Sequence, residues 1–334
     1  MDGVKNKNDK SKLLETFKKY QIVAILLGMI LLVSAINIDF LSLDNLSNLL
    51  TQSSIYGILA LGLLLVIVSK GIDLSVGSVL AFAGVVSGSI SQVIDATGKV
   101  FPNMQPVPIG VTILAALSIG MILGAVNGAL IAYTGIPAFI STLGMYTAAR
   151  GAALMYTAGK PISNINPAIK VFGAKILGPI TMPVIIYFIV AAITFIILRY
   201  TSFGKSVYAI GGNIQAAEIS GIKVKRNLVF IYAYSGMLAG LCSIIYMGRT
   251  GGSIQPAAAI GYELFAIAAT TIGGTSHSGG IGTVWGTIVG ALILGTLANG
   301  FTILGINAYI QQIVQGVIIV AAVVFDMRKN KGKK

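Results

Sequence analysis

The stretch SKGIDLSVGS, residues 69–78, brings a lysine, an aspartate and three serines to the end of a nearly pure hydrocarbon segment. Apolar segments flank it on both sides, over 54–69 and 76–93. A chain that interrupts a membrane helix must satisfy the freed backbone N–H and C=O groups within the protein. The stretch therefore predicts either a charged site inside a membrane or a capped break between two helices.

The composition supports a membrane setting for this stretch. Of the 334 residues, 55% are hydrophobic and 10% are charged, whereas a soluble domain carries about 25% charged residues. Several apolar runs reach the roughly 18–20 residues that cross a bilayer as a helix. The 41 glycines are typical of helices that pack closely in lipid. We predict an all-α, polytopic membrane protein with no soluble catalytic domain.

The apolar segments predict about ten transmembrane helices. They are expected near 22–38, 54–69, 76–93, 107–132, 137–157, 181–198, 228–248, 260–275, 281–303 and 308–326. The segments within 54–93, 137–157 and 260–275 are short or broken by glycine, which makes them candidates for partly re-entrant helices.

Basic residues cluster in 1–19, 199–226 and 328–334, which together hold 16 of the 23 lysines and arginines. Such clustering indicates cytoplasmic segments, so both termini are predicted to be cytoplasmic. We predict a basic tail over 1–20, a transmembrane domain over 21–327 and a second basic tail over 328–334. The net charge of +13 then does not indicate nucleic-acid binding, because most of the basic residues lie in these predicted cytoplasmic segments and their pattern does not suggest base stacking. No small-residue cleavage site follows the first apolar segment, so we expect that segment to remain as a helix.

Two stretches of the chain resemble each other. NGALIAYTGIPAFI (127–140) and NGFTILGINAYI (299–310) both read Asn-Gly, apolar residues, then Gly-Ile-x-Ala-x-Ile. In the predicted topology the first turn is cytoplasmic and the second is external, so the copies would be inverted, as is common in transporters. The alternative is a chance recurrence of small residues in membrane helices.

The sequence offers no catalytic or metal site. The glycine-rich stretch IGGTSHSGGIGT (272–283) lacks the lysine of a nucleotide-binding P-loop, and we expect a flexible turn between two short helices. The only histidine, His277, has no carboxylate or cysteine near it in the sequence to share a metal. The only cysteine, Cys242, is predicted to be a small buried residue. No cofactor is expected on this chain.

The opening stretch supplies the first structural or gating candidates. Asp73 is predicted to cap the helix that follows it, with direct contact to a substrate as the alternative. Gly71 and Gly77 are expected to permit a sharp turn, and Lys70 is expected to reach water. Ser75 is the remaining candidate in this stretch.

Two further charged residues lie near or within predicted membrane segments. Arg150 falls in the fifth crossing and needs a partner or water, and Asp73 is a possible partner. Glu263 begins an apolar segment and is predicted to be interfacial, near the outer end.

The basic loop over 201–227 contains a predicted short helix over 214–220. Asn213 is expected to cap it and Gly221 to end it, with cations just beyond, where they suit the negative end of the helix dipole. A helix of about two turns is marginal alone in water, so we expect it to pack against something. It is either a docking element for a cytoplasmic partner or a loop helix packed on its own membrane helices. The candidate residues here are Gly212, Asn213, Ala216, Ala217, Glu218 and Gly221.

At this point the chain resembles a known family. GGNIQAAEISGI (211–222) resembles the cytoplasmic coupling loop of bacterial ABC sugar-importer permeases of the ribose and galactose type. GIDLSVGSVLAFAG (71–84) is similar to another signature of that family. Further similarity lies in LSNLLTQSSI (46–55), DATGKVFPNM (95–104) and YELFAIAATTIGGTSHSGGIGTVWG (262–286). The resemblance runs from about Leu43 to Arg328 and is strongest to the galactose/methyl-galactoside branch.

The resemblance implies a permease homodimer in the lipid of a bacterial inner membrane. It also implies a separate cytoplasmic ATP-binding subunit, which docks on the loop that carries Ala216, Ala217 and Gly221. An extracytoplasmic sugar-binding protein would deliver a monosaccharide. The general form of the family motif begins with glutamate where this chain has Gln215, so an acidic anchor at that position is lost, and Glu218 is the only nearby substitute.

Three alternatives stay open at this stage. The sugar is galactose or methyl galactoside, or else ribose or another sugar. The chain could instead be an ion-coupled carrier that uses Asp73 and Glu263. A channel or scaffold without any energy source is the third alternative.

Overall fold

The protein is described from a computed structural model that covers residues 21–331, without the side chains of 308 and 325–331. The predicted basic tail over 1–20 and the last three residues of the predicted tail over 328–334 lie outside the described residues.

The described chain is mostly helical with almost no sheet, as predicted. The helices are α1 (Gln21–Ile36), α2 (Leu43–Val68), α3 (Val76–Ser89), α4 (Ile109–Ala129), α5 (Ala138–Thr157), α6 (Met182–Tyr200), α7 (Ser202–Gly212), α8 (Ile214–Ile219), α9 (Val224–Arg249), α10 (Tyr262–Ile272), α11 (Val284–Ile303) and α12 (Ala308–Lys331). Short 3-10 segments span Ile38–Leu41 and Pro167–Gly173, and a π-helical turn over Leu130–Thr134 extends α4. Two short antiparallel strands, β1 (Lys175–Leu177) and β2 (Ile180–Thr181), form a hairpin in a segment predicted as a loop.

Five of the described helices are long and apolar enough to cross a membrane. They are α2, α4 with its π turn, α6, α9 and α11. By contrast, α3 has 14 residues and α10 has 11, which gives lengths of about 21 and about 16 Å against a hydrocarbon thickness of about 30 Å. These short helices support the expectation that some apolar segments are re-entrant. The count of ten crossings stays a prediction.

One helix boundary differs markedly from the sequence expectation. The crossing predicted over 54–69 belongs to a helix that begins at Leu43, capped by the Ser42 side chain, which accepts from the Asn45 backbone N–H at 3.4 Å. The polar residues of its first turns concealed this start in the hydropathy pattern. Their contacts explain it, since Asn45 and Asn299 form a reciprocal pair of amide hydrogen bonds at 2.9 and 2.8 Å.

Helix α2 forms the centre of the bundle. Its side chains from Ile55 to Val68 are buried, and it packs against α6, α9, α10 and α11. Other helices of the protein, and not lipid, therefore surround the apolar side chains over this stretch of α2.

Helices α4 and α9 cross closely through glycine. A methyl group on Gly120 would overlap the carbonyl oxygen of Gly236, and one on Gly236 would overlap the carbonyl oxygen of Gly120. The same crossing continues one turn along at Gly124, which lies against the Tyr232 carbonyl, and at Gly240, which lies against the Ala116 carbonyl. Small residues at four-residue spacing let two helix backbones approach in lipid.

A long helix from each half of the chain packs against helices of the other half. Helix α9 packs against α3 and α4, while α2 packs against α10 and α11. The similar stretches at 127–140 and 299–310 each connect a long helix to the next helix along the chain. These contacts fit a repeat, and the inversion of its copies across a membrane stays a prediction.

The α4–α9 crossing makes a stability prediction. Gly236→Leu places a side chain where the Gly120 backbone lies, so we expect destabilisation of about 3 kcal/mol or more. The measurement is the thermal unfolding midpoint of the purified protein in detergent. Gly28→Leu on α1 is the control, because nothing lies within 4 Å of an added Cβ there. Equal midpoints for the two variants would contradict the assignment of this crossing as close-packed.

Candidate functional site

The predicted short helix in the loop over 201–227 is confirmed as α8. Asn213 ends α7 and caps α8, with its side chain accepting from the Ala216 backbone N–H at 3.0 Å. Gly221 has φ +80°, and the backbone N–H of the next residue, Ile222, donates to the Ala217 carbonyl at 3.0 Å, which is a common way for a helix to end. We call α7, α8 and the turn at Gly221 the coupling segment.

One face of α8 is fixed to the rest of the protein. Ala217 is buried in a small apolar cluster with Ile210 of α7 and Val224 of α9. The cluster ties α8 to the two helices that flank it in sequence. A displacement of α8 would therefore be transmitted to α7 and α9.

The other face of α8 is exposed and partly apolar. Ile219 is 89% exposed and Ile214 is 46% exposed, although both are large apolar side chains. Ala216 and Glu218 are exposed beside them. The two isoleucines leave a small apolar patch on the exposed face of α8, between α7 and α9.

The coupling segment rests against the end of α2. Lys70 donates from Nζ to the Gly212 carbonyl at 3.2 Å, so its exposed side chain both reaches the surface and joins the two segments. Gly211 lies directly against the Val68 carbonyl, where a side chain would overlap it. That same carbonyl accepts from the Gly280 N–H at 2.8 Å. The opening stretch of the sequence therefore lies directly beneath the coupling segment.

The glycine-rich stretch over 272–283 is a turn, as predicted, but only α10 before it is short, because α11 after it is long enough to cross a membrane. It is held in place by the coupling segment, because the Tyr208 hydroxyl donates to the Gly282 carbonyl at 2.8 Å. His277 lies 2.8 Å from the Thr271 hydroxyl. No group of histidine, cysteine and acidic side chains suited to a metal occurs among the described residues.

Asp73 forms the centre of a buried polar cluster. It is 1% exposed and accepts from the Ser75 backbone N–H at 2.9 Å and from the Ser75 hydroxyl at 2.6 Å. Its other oxygen accepts from the Ser235 hydroxyl of α9 at 3.2 Å. The prediction that Asp73 is the helix N-cap is wrong by two positions, because Ser75 occupies the cap and α3 begins at Val76. The physical role is similar, since the carboxylate still satisfies a backbone donor at the helix break.

Two residues that are not among the sequence-predicted candidates extend this cluster. Asn127 of α4 donates to the Ser75 hydroxyl at 3.0 Å, and the Ser141 hydroxyl of α5 donates to the Asn127 side-chain oxygen at 3.3 Å. Asn127 is completely buried. An asparagine within an apolar helix is the signal that could have revealed it, because a buried amide needs partners.

The two glycines of the opening stretch act by close packing and not by turn conformation. The residue with positive φ in this turn is Lys70, at +64°. A methyl group on Gly71 would overlap the Tyr232 hydroxyl, and one on Gly77 would overlap the Glu263 carboxylate. The prediction that both glycines permit a sharp turn is therefore corrected, because they provide room for neighbouring side chains.

Arg150 does not pair with Asp73. Its guanidinium donates from one nitrogen to the carbonyls of Pro256 and Ala258, at 2.7 and 2.8 Å, which lie just before α10. The one ion pair among the described residues joins exposed Lys175 and Asp44. Arg150 thus stabilises the backbone that leads into a short helix.

Glu263 is buried, which corrects the expectation of an interfacial position. It is 6% exposed, lies in the first turn of α10 and accepts from the Gly261 N–H at 3.2 Å. Its other oxygen lies against Gly77 in the first turn of α3 and has no hydrogen-bond partner among the described residues. The N-termini of the two short helices therefore meet at this carboxylate, and both helix dipoles favour its negative charge.

Cys242 is completely buried, as predicted, and donates from Sγ to the Ile55 carbonyl at 3.6 Å. It packs between α9 and α2 as a small core residue.

Comparison with known proteins assigns the chain to a family. Residues 45–323 match the family described as the permease component of branched-chain amino acid transport systems. The chain belongs to this family. It is 38% identical over 333 residues to a galactose/methyl galactoside import permease protein of Escherichia coli (strain K12), which covers 98% of this chain and 99% of the relative. It is 41% identical over 310 residues to a ribose import permease protein of the same strain, with 91% and 92% covered.

A ribose import permease protein of Bacillus subtilis (strain 168) is 40% identical over 304 residues, with 90% of each chain covered. No solved structure matches the chain significantly. Family membership and the long apolar helices together identify a multi-pass membrane permease component.

The Asp73 cluster predicts the effect of Asp73→Asn. An amide can retain one accepted hydrogen bond but presents a donor to groups that also donate, so we expect impaired assembly, with a stability loss of about 1–3 kcal/mol. The yield of monodisperse protein and its unfolding midpoint in detergent measure this. Asp95→Asn, in an exposed loop, is the control. A variant that assembles normally but whose substrate uptake no longer depends on protons would contradict this prediction.

Proposed function

We propose that this chain is the membrane-spanning permease subunit of an ATP-driven importer of a monosaccharide. Its relatives are named for the import of galactose or methyl galactoside and of ribose, and they support these sugars about equally. Galactose or methyl galactoside is the first candidate, on the sequence stretches noted above, and ribose is the second.

The observation that carries this proposal is the exposed face of α8. Ile219 is 89% exposed on a short helix whose opposite face is fixed by Ala217. A separate ATP-binding subunit that covers this face would bury the isoleucine and could displace α8 as a rigid unit. ATP hydrolysis then belongs to the partner, and no cofactor is bound by this chain.

The contacts of the coupling segment suggest how its movement opens and closes the permease. Lys70 and Gly212 link it to the end of α2, while Tyr208 and Gly282 link it to the turn after α10. A shift of α8 would therefore move the central helix and a short helix together. This is the type of rigid-body gating expected for membrane transporters.

The complete importer would contain two copies of this chain, the ATP-binding subunit and an extracytoplasmic sugar-binding protein. It would lie in the lipid of a bacterial inner membrane, with both termini and the coupling segment cytoplasmic. The basic residues of the loop over 201–227 support this orientation.

A second candidate function, an ion-coupled carrier, rests on the buried carboxylates of Asp73 and Glu263. The three hydrogen bonds accepted by Asp73 favour a structural role for that residue. Proteoliposomes distinguish the two functions. An ATP-driven importer requires the ATP-binding subunit, the binding protein and ATP, and its uptake persists with an ionophore. Uptake by this chain alone that an ionophore abolishes would support the carrier.

The docking role of α8 predicts the effect of Ile219→Asp. The substitution places a charge at the centre of the proposed interface, so we expect the ATP-binding subunit to be lost on co-purification while the permease still assembles. Leu177→Asp is the matched control, since Leu177 is 71% exposed in the β1–β2 hairpin, outside the coupling segment. Unchanged co-purification of Ile219→Asp would contradict the docking role.

Two further substitutions test the way α8 is built. Gly221→Arg strains a residue at φ +80°, and Ala217→Asp places a carboxylate in the apolar cluster that fixes α8. We expect both to abolish sugar uptake while membrane insertion is retained. Insertion is measured by membrane fractionation and uptake with radiolabelled D-galactose and D-ribose. Normal uptake by both variants would exclude the coupling segment from the mechanism.

A further inference from the structure

A cavity of about 460 Å³ opens between α2, α10, α11 and α12. Its polar lining consists of Gln52, Tyr56, Thr302, Gln311, Gln312 and Gln315. The chain contains nine glutamines, and four of them lie around this cavity. Gln52, Gln311 and Gln315 are half-buried, whereas Gln312 is exposed. Polar side chains grouped among apolar membrane helices are costly and mark functional positions, so this concentration points to a ligand or a water-filled path.

The cavity has free hydrogen-bonding capacity. Gln312 and Gln315 make no side-chain hydrogen bond within the described part of the chain, and Gln311 donates only to the Ile306 carbonyl, at 3.0 Å. Each glutamine amide offers two donors and an acceptor. A sugar hydroxyl both donates and accepts, so a row of amides matches a ring of hydroxyl groups.

The lining selects for a neutral ligand with one apolar face. No charged side chain contributes to the described lining. One wall contains an aromatic pair, in which the rings of Tyr56 and Phe265 stack on each other with centroids 4.6 Å apart and planes 9° apart. An apolar and aromatic lining with a few convergent polar groups is typical of small-molecule sites, and it suits the C–H groups of a sugar ring.

The cavity lies in the half of the protein away from the coupling segment. Gln52 precedes Val68, the last residue of α2, by 16 positions, which corresponds to about 24 Å along the helix. The coupling segment rests on the Val68 end. If that end is cytoplasmic, as proposed above, the cavity occupies the half that a sugar enters first.

Both helices that connect the cavity to the coupling segment line the cavity directly. Gln52 and Tyr56 belong to α2, and Phe265 belongs to α10, whose following turn is bonded to Tyr208 of the coupling segment. A movement of α8 that reaches α2 and α10 would therefore change the shape of the cavity.

From these observations we infer that this cavity binds the neutral monosaccharide during its passage, through the amides of Gln52, Gln311, Gln312 and Gln315 and the Tyr56–Phe265 wall. This inference rests on the proposed function. It adds a specific contact site within the permease itself.

The first test uses the complete importer in proteoliposomes with D-galactose and D-ribose as probes. Gln315→Leu and Gln52→Leu remove amide contacts at similar side-chain size, so we expect sugar uptake per ATP hydrolysed to fall about tenfold. ATP hydrolysis stimulated by the loaded binding protein should stay near the wild-type rate. Gln105→Leu, an exposed loop position outside the cavity, should leave both rates unchanged. Wild-type uptake by both cavity variants would overturn the inference.

The second test does not depend on the leucine variants assembling. Because the single native cysteine, Cys242, is completely buried, Gln315→Cys introduces one accessible thiol. We expect a small water-soluble methanethiosulfonate reagent to label it, and the transported sugar to slow labelling at least about threefold, whereas L-glucose should not. Gln105→Cys, in the exposed loop between α3 and α4, is the control, and no sugar should protect it.

The results separate this inference from the proposed function. If the wild-type complex takes up neither sugar in an ATP-dependent way, the proposed function fails. If the wild-type complex imports a sugar but that sugar does not protect Gln315→Cys, or protects Gln105→Cys equally, the contact site alone is rejected.

Discussion

The helix break at residues 69–78 depends on a single buried carboxylate. Where α2 ends and α3 has not begun, backbone donors face an apolar interior, and an unsatisfied group there costs several kcal/mol. Asp73 resolves this by accepting from the Ser75 backbone and hydroxyl and from Ser235. Because Asn127 and Ser141 bond onward from Ser75, the same carboxylate connects α3 to α4, α5 and α9. Hydrogen bonds at the break between α2 and α3 therefore join four helices, α3, α4, α5 and α9.

Close backbone approach makes this junction possible. The glycines of α4 and α9 let the two helices cross with their backbones in contact, which brings Asn127 and Ser235 toward Ser75 and Asp73. On the other side of the break, Gly77 leaves room for the Glu263 carboxylate, so the N-termini of α3 and α10 meet. Small residues therefore determine where the buried polar groups can lie, and the polar groups fix the register of the helices.

The same break links the proposed docking surface to the interior. Lys70 lies one residue past the α2 cap and bonds to Gly212, and the Val68 carbonyl receives Gly280 from the turn after α10. The coupling segment is thus in contact with both the central helix and a short helix. These two helices also line the glutamine-rich cavity about 24 Å away along α2. An energy-coupled transporter needs a rigid connection of this kind between its partner surface and its substrate path.

The sequence by itself determined the features that depend on local chemistry. Hydropathy predicts an all-α membrane protein, and the Asn213 and Gly221 signals locate α8 to within one residue, because caps and helix ends are decided by neighbouring residues. Hydropathy alone places the start of α2 too far along the chain, because the polar first turns of this helix are stabilised by Asn299, 254 positions away. Only the tertiary structure decided the partners of the buried groups. Arg150 bonds to carbonyls before α10, Glu263 is buried against Gly77, and the glutamines of α2 and α12 face one cavity. Each of these depends on which helices cross, and no periodicity along one segment encodes that choice.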